Sequence, residues 1–496
     1  MGKNADKPFK RSRKVVVDVS LCRYAIIKRC LKARDYRLVR EKNSEVEWDI
    51  WWSDRGKLLK DARRLNAFQK INHFPSMQDI CRKDFLANNL NAMRKLLPDD
   101  FDYFPRSFLL PAERVELQQC MEQDKRGTYI AKPRTLCQGK GISLVQSFQK
   151  LSTTDPCVVQ KYIHNPYLID GYKFDLRIYV FVYSVDPLRV YIFRNGLARF
   201  CTTPFEPPKR GNLAQTRMHL TNYAINKKSK QFVRSADETT GSKRSFSYIM
   251  QHLHEQGMDA EAVWADICDV VIKTLLAIQP RLVAGYRSFF GTDESKGRQW
   301  GPAAFEILGF DIMLDQQGKT WMIEVNHAPS FAGDSKLDKA IKTPLIAQAL
   351  DILNITNQQK RLYQAKNRKA WKNRLWSVVG KKEKDKTLVE PSPPVAGPQS
   401  VELEDQGAMS ALDDCDDSGP SEDEKDDEGP ETKANPSGAT KKIHPCDEEE
   451  EVDNNNPRTE FGNTYELIFP PKCPRLQDKY TRILAAADTN RSKLWS

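Results

Sequence analysis

The chain has 496 residues, 40% hydrophobic and 9% aromatic, with 78 lysines and arginines against 66 aspartates and glutamates and a formal net charge of +12. That length and apolar content support a large core and about two to four domains. No apolar run reaches the roughly 18 residues of a membrane span, and the N-terminus MGKNADKPFKRSRK is basic without an apolar core, so neither secretion nor membrane spanning is expected.

Eleven cysteines, an odd number with no CxxC pair, fit neither a disulfide framework nor a zinc site and favour a reducing, intracellular compartment. Gly2 is not read as a lipidation site, because Asp6 stands where that motif needs Ser or Thr. Charge is divided sharply. Between Glu390 and Asn456 lie 21 acidic and 4 basic residues, a local charge of −17 that leaves +29 for the rest. The basic part calls for an acidic partner, which on composition alone is nucleic acid, an anionic membrane or an acidic polypeptide.

After a basic arm (1–14), the run VVVDVS and the helical pattern DICRKDFLANNLNAMRKLL predict a first α/β domain. TYIAKPRTLCQGKGISLVQ reads as two short strands around a loop in which Gly139 and Gly141 flank Lys140, with Lys132 closing the first strand. Such a loop is either a plain turn or a place where backbone N–H groups approach phosphate. It matches neither a Walker loop nor a dinucleotide fingerprint. GYKFDLRIYV sets Lys173, Asp175 and Arg177 on one strand face, as a salt-bridged edge or as the wall of a site.

Two antiparallel hairpins are predicted. RIYVFVYSV and VYIFRNGLARF flank Asp186-Pro187; FEILGFDIMLD and TWMIEVN flank Gln317-Gly318-Lys319. Between them AEAVWADICDVVIKTLLAIQ reads as a core helix. In the second hairpin Glu324 and Asn326 are two apart and share a face, with Asp311 on the neighbouring strand. Two carboxylates and an amide oxygen suit a hard divalent cation such as Mg²⁺, completed by phosphate oxygens, or else form a polar face turned to water. Beyond Leu353 a cation-rich helix carrying Tyr363, Trp371 and Trp376 precedes an acidic, Pro- and Ser-rich stretch that cannot bury enough apolar surface to fold. The end, FGNTYELIFPPKCPRLQDKYTRILAAA, regains periodicity and is expected to fold back.

In order, NHFPSMQDICRKD, YIAKP…CQGKGI, VVQKYI, GYKFDLRIYV, GLARF, MHLTNYAIN, GSKR, FEILGFDIMLD and IEVNHAPSF resemble the tubulin tyrosine ligase-like family over residues 15 to 355, with a weaker echo at 459–490. Within it the chain is most similar to the glutamate-adding polyglutamylases, and to the branch that elongates side chains, whose members also carry His at the position of His327. The resemblance implies an α/β (α+β) ATP-grasp fold: N-terminal domain 15–105, central domain 106–200 and C-terminal domain 201–355. A basic microtubule-binding-like helix (356–386), a disordered acidic linker (387–458) and a returning segment (459–496) follow.

It further implies ATP and Mg²⁺ as cofactors. Lys132, Gln138 and Gly139 would contact phosphate, Gln160, Lys161, Tyr162 and Ile163 would form the adenine hinge, and Lys173, Asp175, Thr221 and Asn222 would complete the nucleotide site. Asp311, Glu324 and Asn326 would hold the metal. Arg199, Tyr223, Ala224, Lys243 and Lys342 match positions for free L-glutamate, although Ala224 departs from the Ser usual there. Arg177 and Lys83 would act on the reacting phosphate, and His327 would orient the acceptor, act as a base or only hydrogen-bond locally.

The implied reaction is isopeptide formation on glutamate side chains of acidic tubulin tails, through an acyl phosphate. It goes with a monomer in the cytoplasm and cytoskeleton, extending to cilium or basal body, with no nucleic-acid or membrane partner. The rival readings are a family ligase using glycine, tyrosine or another acceptor, and a catalytically silent microtubule binder.

Overall fold

The valine run opens the first sheet: Val15, Val16, Val17 and Val19 are all buried, as expected of a parallel strand covered on both faces. The computed structural model describes residues 12–41, 47–54, 65–134, 136, 138–151, 155–234, 237–291, 300–385, 462 and 464–493; the stretch read as an acidic linker lies outside them. Strand β1 (Val16–Leu21), β2 (Arg37–Val39), β3 (Ile50–Ser53) and β4 (Lys70–Ile71) form a parallel sheet in the order β2-β1-β3-β4. Helix α1 (Ala25–Ala33) crosses between β1 and β2 and buries Ile26, Ile27, Cys30 and Leu31, one helical face. The single helix expected over 79–97 is broken. Arg82 is extended (φ −84°, ψ 132°) between α2 (Gln78–Cys81) and α3 (Lys83–Leu96), and its guanidinium reaches Asp84 and covers the Phe85 ring at 4.0 Å.

A second sheet, antiparallel, takes the order β5-β8-β6-β7, from β5 (Ser107–Leu110), β6 (Tyr129–Pro133), β7 (Ser143–Val145) and β8 (Cys157–Lys161). One face packs on α4 (Arg114–Gln123) through Leu117 and Met121. The other buries Ile130 and Leu144 against Tyr162 and Leu220, so it is turned toward the site.

The two predicted hairpins build a third sheet. Strand β9 (Leu168–Ile169) pairs with β10 (Tyr172–Val185), and β10 with β11 (Leu188–Phe200) and β13 (Glu306–Leu314), with β14 (Thr320–Asn326) outermost. The far edge of β11 is shared by β12 (Lys243–Ser245) and β15 (Tyr465–Phe469), the latter supplied by the returning C-terminal segment. Because β10 pairs directly with β13, residues 172–200 share their sheet with the C-terminal strands, not with the central sheet to which a boundary at residue 200 assigns them.

Short helices α5 (Thr216–His219) and α6 (Tyr223–Asn226) face the second sheet, while α7 (Phe246–Glu255), α8 (Ala260–Leu276) and α9 (Gln279–Phe290) back the third. Val270, Val271, Ile272, Leu275 and Leu276 of α8 are buried, each such side chain stabilising the core by about 1.5–3 kcal/mol. Helix α10 (Lys336–Leu353) packs on α1.

The cationic segment forms α11 (Asn357–Asp385), and α12 (Pro474–Lys493) lies against α8 and α9. The start of α11 is fixed to the first sheet: Lys360, 4% exposed, pairs with buried Asp49 at 2.5 Å, and Tyr363 stacks on Phe68 at 5.3 Å. Asp49 also accepts from Val16 N at 2.7 Å. Lys360→Met therefore strands a buried carboxylate and should destabilise the protein by about 3 kcal/mol. Urea unfolding of Lys360→Met, Asp49→Asn and the double variant checks it, the double costing less than the sum of the singles.

Candidate active site

The site is built from the strand register of the third sheet. Arg177 on β10 stands opposite Asp311 on β13, which stands opposite Glu324 on β14; Asp175 on β10 faces Arg199 on β11, which faces Lys243 on β12. Charges so arranged on one buried face must neutralise one another. Arg177 grips Asp311 through both carboxylate oxygens, at 2.6 and 3.2 Å. Arg199 grips Asp175 at 2.8 and 2.5 Å and reaches Asp311 at 2.7 Å. Thr221 donates to Asp175 at 2.8 Å. Burial opposes ionisation of Asp311, but the two guanidiniums outweigh it and hold the carboxyl below its usual range.

Beyond this chain the acidic strand end changes character. Glu324 is pushed up by burial and then by Asp311, and the Asn326 amide nitrogen lies 3.5 Å from both carboxylates. Among the described residues no group of three or more His, Cys, Asp and Glu is assembled as a metal site. The donor set here is two carboxylates and one amide, whose oxygen a half-turn would present. A cation would relieve the charge crowding on Glu324, so the residues fit a hard divalent ion.

Two buried lysines adjoin this charged face, Lys132 near Glu324 and Lys173 near Asp175. Lys132, at the end of β6, donates to Gln160 Oε1 at 2.8 Å, and Lys173, entering β10, donates to Tyr162 Oη at 2.8 Å and to the His219 carbonyl at 3.0 Å. Neither has a carboxylate within ion-pair reach among the described residues. Burial lowers both to about 8, with Glu324 the main opposing influence at Lys132 and Cys201 and then Asp175 at Lys173. Tyr162 contacts His219 Nδ1 at 3.1 Å, and His219 Nε2 meets the Asn212 carbonyl at 3.1 Å. A carbonyl only accepts, so Nε2 carries the proton and Nδ1 accepts from Tyr162, leaving the phenol oxygen to Lys173. Burial, then Lys173, lowers His219 to about 4, which keeps it neutral.

The β6–β7 loop closes over these groups. Gly139 has φ +80°, and a β-carbon there would meet Ile225 at 2.5 Å and Asn222 at 2.9 Å, so only glycine permits the approach. Gln138 precedes it at φ +59°. Lys83, first residue of α3, donates to the Leu136 carbonyl at 2.7 Å and so ties the loop to the N-terminal helix.

On the other side of Arg199, Lys243 and Lys342 both bind Asp338, at 2.9 and 2.8 Å, and Lys243 lies 4.1 Å over the Tyr223 ring. Ala224 is half-buried on α6 beside them. The remaining expected residues lie outside this cluster. Lys161 is exposed and pairs with Asp124 at 3.2 Å. The Tyr162 amide of the expected hinge is bonded to the Thr128 carbonyl, with half-buried Ile163 following it. His327 sits past β14 in a pocket lined also by Tyr24, Trp52, His73 and Phe331, where burial and then His73 lower it to about 4.

The tubulin-tyrosine ligase family model matches residues 61–362. The chain belongs to the tubulin-tyrosine ligase family. Its relatives include tubulin polyglutamylase TTLL6 of Mus musculus, 44% identical over 361 residues (72% of this chain, 43% of the relative), and tubulin polyglutamylase ttll6 of Danio rerio, 42% identical over 362 residues (73% and 45%). Tubulin polyglutamylase TTLL13 of Mus musculus is 40% identical over 367 residues (74% and 45%). The chain spans less than half the length of these curated relatives.

Family membership identifies the three-sheet architecture as ATP-grasp, with the cleft between the second and third sheets. Asp338 and His219 were not singled out from the sequence. The only signal for Asp338 was its i,i+4 spacing from Lys342, which reads as an ordinary surface helix pair; for His219 it was its place in MHLTNY.

The two depressed lysines give a direct test. An anion against them raises their pKa toward the ordinary value, so binding takes up protons, roughly one in total near pH 8 with two groups half-charged beforehand. Calorimetric titration with a nucleoside triphosphate in buffers of different ionisation enthalpy measures this, and Lys132→Met or Lys173→Met should each remove about half of the uptake.

Proposed function

We propose that this chain is the catalytic core of an ATP-dependent ligase that joins free glutamate, by isopeptide bonds, to glutamate side chains in the acidic C-terminal tails of tubulin, lengthening chains already begun. The observation that carries the reading is the pair of buried lysines, Lys132 beside Glu324 and Asp311 and Lys173 beside Asp175, neither with a carboxylate in ion-pair reach among the described residues. Buried cations require an anion, and a triphosphate with a divalent cation satisfies both sides at once. The names of the relatives support tubulin as the acceptor.

In this mechanism Asp311, Glu324 and Asn326 hold Mg²⁺, which when bound offsets the charge on the transferring phosphoryl group. Lys132 and Lys173 fix the phosphates as donors in a dry cleft, where fixed charges act strongly. The acceptor γ-carboxylate takes the terminal phosphoryl group of ATP with release of ADP, and the neutral α-amino group of glutamate then displaces phosphate from the acyl phosphate, losing one proton as the amide forms. Arg177, held by Asp311, is rigid enough to stabilise oxyanion charge without reorganising. Lys83 keeps the phosphate loop closed. Lys243, Lys342 and Tyr223 receive the incoming glutamate, and Arg199 links their cluster to the acidic strand end. His327, neutral at physiological pH, suits hydrogen bonding to the acceptor better than charge pairing.

The acceptor's acidity is matched by α11. Lys366, Arg368, Lys369 and Lys372 are exposed, as is Trp371 at 62%, on a helix whose base is clamped by Lys360. Exposed cations around an anchored helix attract an acidic tail in a salt-sensitive way. We place the protein in the cytoplasm on the cytoskeleton, acting as a monomer.

Purified protein with ATP, Mg²⁺, microtubules and separately labelled glutamate, glycine or tyrosine, read by tail mass spectrometry, tests the reading. Glutamate alone should add, preferentially to tails already branched, with loss of about a hundredfold or more in Glu324→Gln. Addition of glycine or tyrosine instead, or of nothing, overturns it. Reversing Lys366, Arg368, Lys369 and Lys372 to Glu should weaken microtubule cosedimentation by about tenfold while ATP hydrolysis changes little; unchanged binding refutes the docking role of α11.

A further inference from the structure

Two lysines on different elements, Lys243 of β12 and Lys342 of α10, converge on a third group that the family motifs do not supply. Asp338 is fully buried, and its carboxylate is shared between them, one oxygen to each, at 2.9 and 2.8 Å. It is fixed from below as well. Ser335 caps α10 by accepting from Asp338 N at 3.0 Å and donates its hydroxyl to Asp338 Oδ2 at 2.8 Å. The carboxylate therefore has one position, and both ammonium groups are referred to it.

We propose that Asp338 is a positioning residue for the donor amino acid, joining Lys243 and Lys342 into a single two-ammonium clamp for the donor's carboxylate. This rests on the ligase reading above. The proton inventory supports it. Each ammonium has three protons. Lys243 spends one on Asp338 and turns another face to the Tyr223 ring, and Lys342 spends one on the Ala332 carbonyl at 2.7 Å and turns another toward Asp338 Oδ1, an ion pair at 2.8 Å without hydrogen-bond alignment. One donor remains on each among the described contacts, two N–H groups for one carboxylate. The charge agrees: within the contact triad two cations and one anion leave one positive charge for one incoming negative charge, Asp334 and Arg177 being of opposite sign and outside ion-pair contact with it among the described residues.

Asp338 also keeps the clamp charged. Two ammonium groups brought together in a buried site disfavour each other's protonation. The groups facing the pair are Asp334, Tyr223, Tyr179 and Arg177, with Lys227 over the other side of Tyr223, so Asp338 is the carboxylate in contact with both. Burial lowers both lysines and Asp338 is the first influence that opposes it.

Steady-state ligation by Asp338→Asn tests the proposal. Its KM for glutamate at neutral pH should rise by about tenfold or more, with KM for ATP and kcat within about threefold of wild type. The variant's KM for glutamate should then fall as pH is lowered, because the lysines regain their protons, whereas the wild-type KM stays flat. Ser335→Ala, which removes the cap and one hydrogen bond to Asp338 but neither ion pair, should lower the melting temperature while raising the KM for glutamate by at most about threefold. Asp338→Glu, which keeps the charge and displaces it by one methylene, carries the same comparison if Asp338→Asn does not fold. An unchanged KM for glutamate, equal rises in both KM values, or a Ser335→Ala variant that reproduces the effect overturns the positioning role. Failure of the wild-type protein to add glutamate would instead overturn the ligase reading on which it rests.

Discussion

The register between β10 and its two neighbours is the constraint on which the site depends. Side chains repeat every second residue along a strand, so a slip of β10 by one position would turn Arg177 and Asp175 to the face opposite Asp311 and Arg199. With the observed register, Arg177 meets Asp311 and Asp175 meets Arg199, and four charges that would each be costly alone become a closed chain of ion pairs. Breaking such a chain at one member leaves an uncompensated buried charge, so the sheet cannot easily adopt another pairing. The same network that fixes the register thus prepares the surface on which a metal and phosphates would be received.

Electrostatic completeness then separates the site into parts. The arginine–aspartate chain is satisfied internally, whereas among the described residues Lys132 and Lys173 hydrogen-bond only to neutral acceptors and Glu324 is crowded by Asp311. Lys132 approaches Glu324 from the second sheet, whereas Lys173 lies on β10, in the same sheet as Glu324 and beside Asp175. Burial alone would drive the lysines toward neutrality; their hydrogen bonds to Gln160 and Tyr162 keep them oriented without neutralising them. Tyr162 is itself oriented by His219, whose tautomer is fixed by the Asn212 carbonyl, so the direction of the Lys173 ammonium is set three groups away.

Much of this was legible in the sequence, and for definite reasons. The two long hairpins carry period-two alternation and clear turn signals, so β10–β11 and β13–β14 could be read with their polar residues on the correct face. The order of motifs carried the fold. What could not be read were interactions between distant segments. Asp338 and Lys342 look like a surface pair until Lys243 arrives from β12, more than 90 residues earlier in the chain. The break at Arg82 depends on contacts with Asp84 and Phe85 that helical periodicity ignores.

The cleft also explains why the helices at its margins are anchored so firmly. The β6–β7 loop must approach Asn222 closely enough that only a glycine fits, and it is held there from the N-terminal side by Lys83. The first sheet in turn is joined to the entry of β13 by Ile71, whose backbone bonds Ala303 and Phe305, and by Glu306, which accepts from both His73 and Phe74. Lys360 then ties α11 to that same sheet through Asp49. A continuous path of buried polar contacts therefore runs from the cationic helix to the strand that carries Asp311. Such a path gives α11 a fixed origin relative to the cleft, so an acidic chain held along the helix would enter from a defined side. Flexible attachment would supply the same charge but no direction, and direction is what selection of one carboxylate among many on an acidic tail requires.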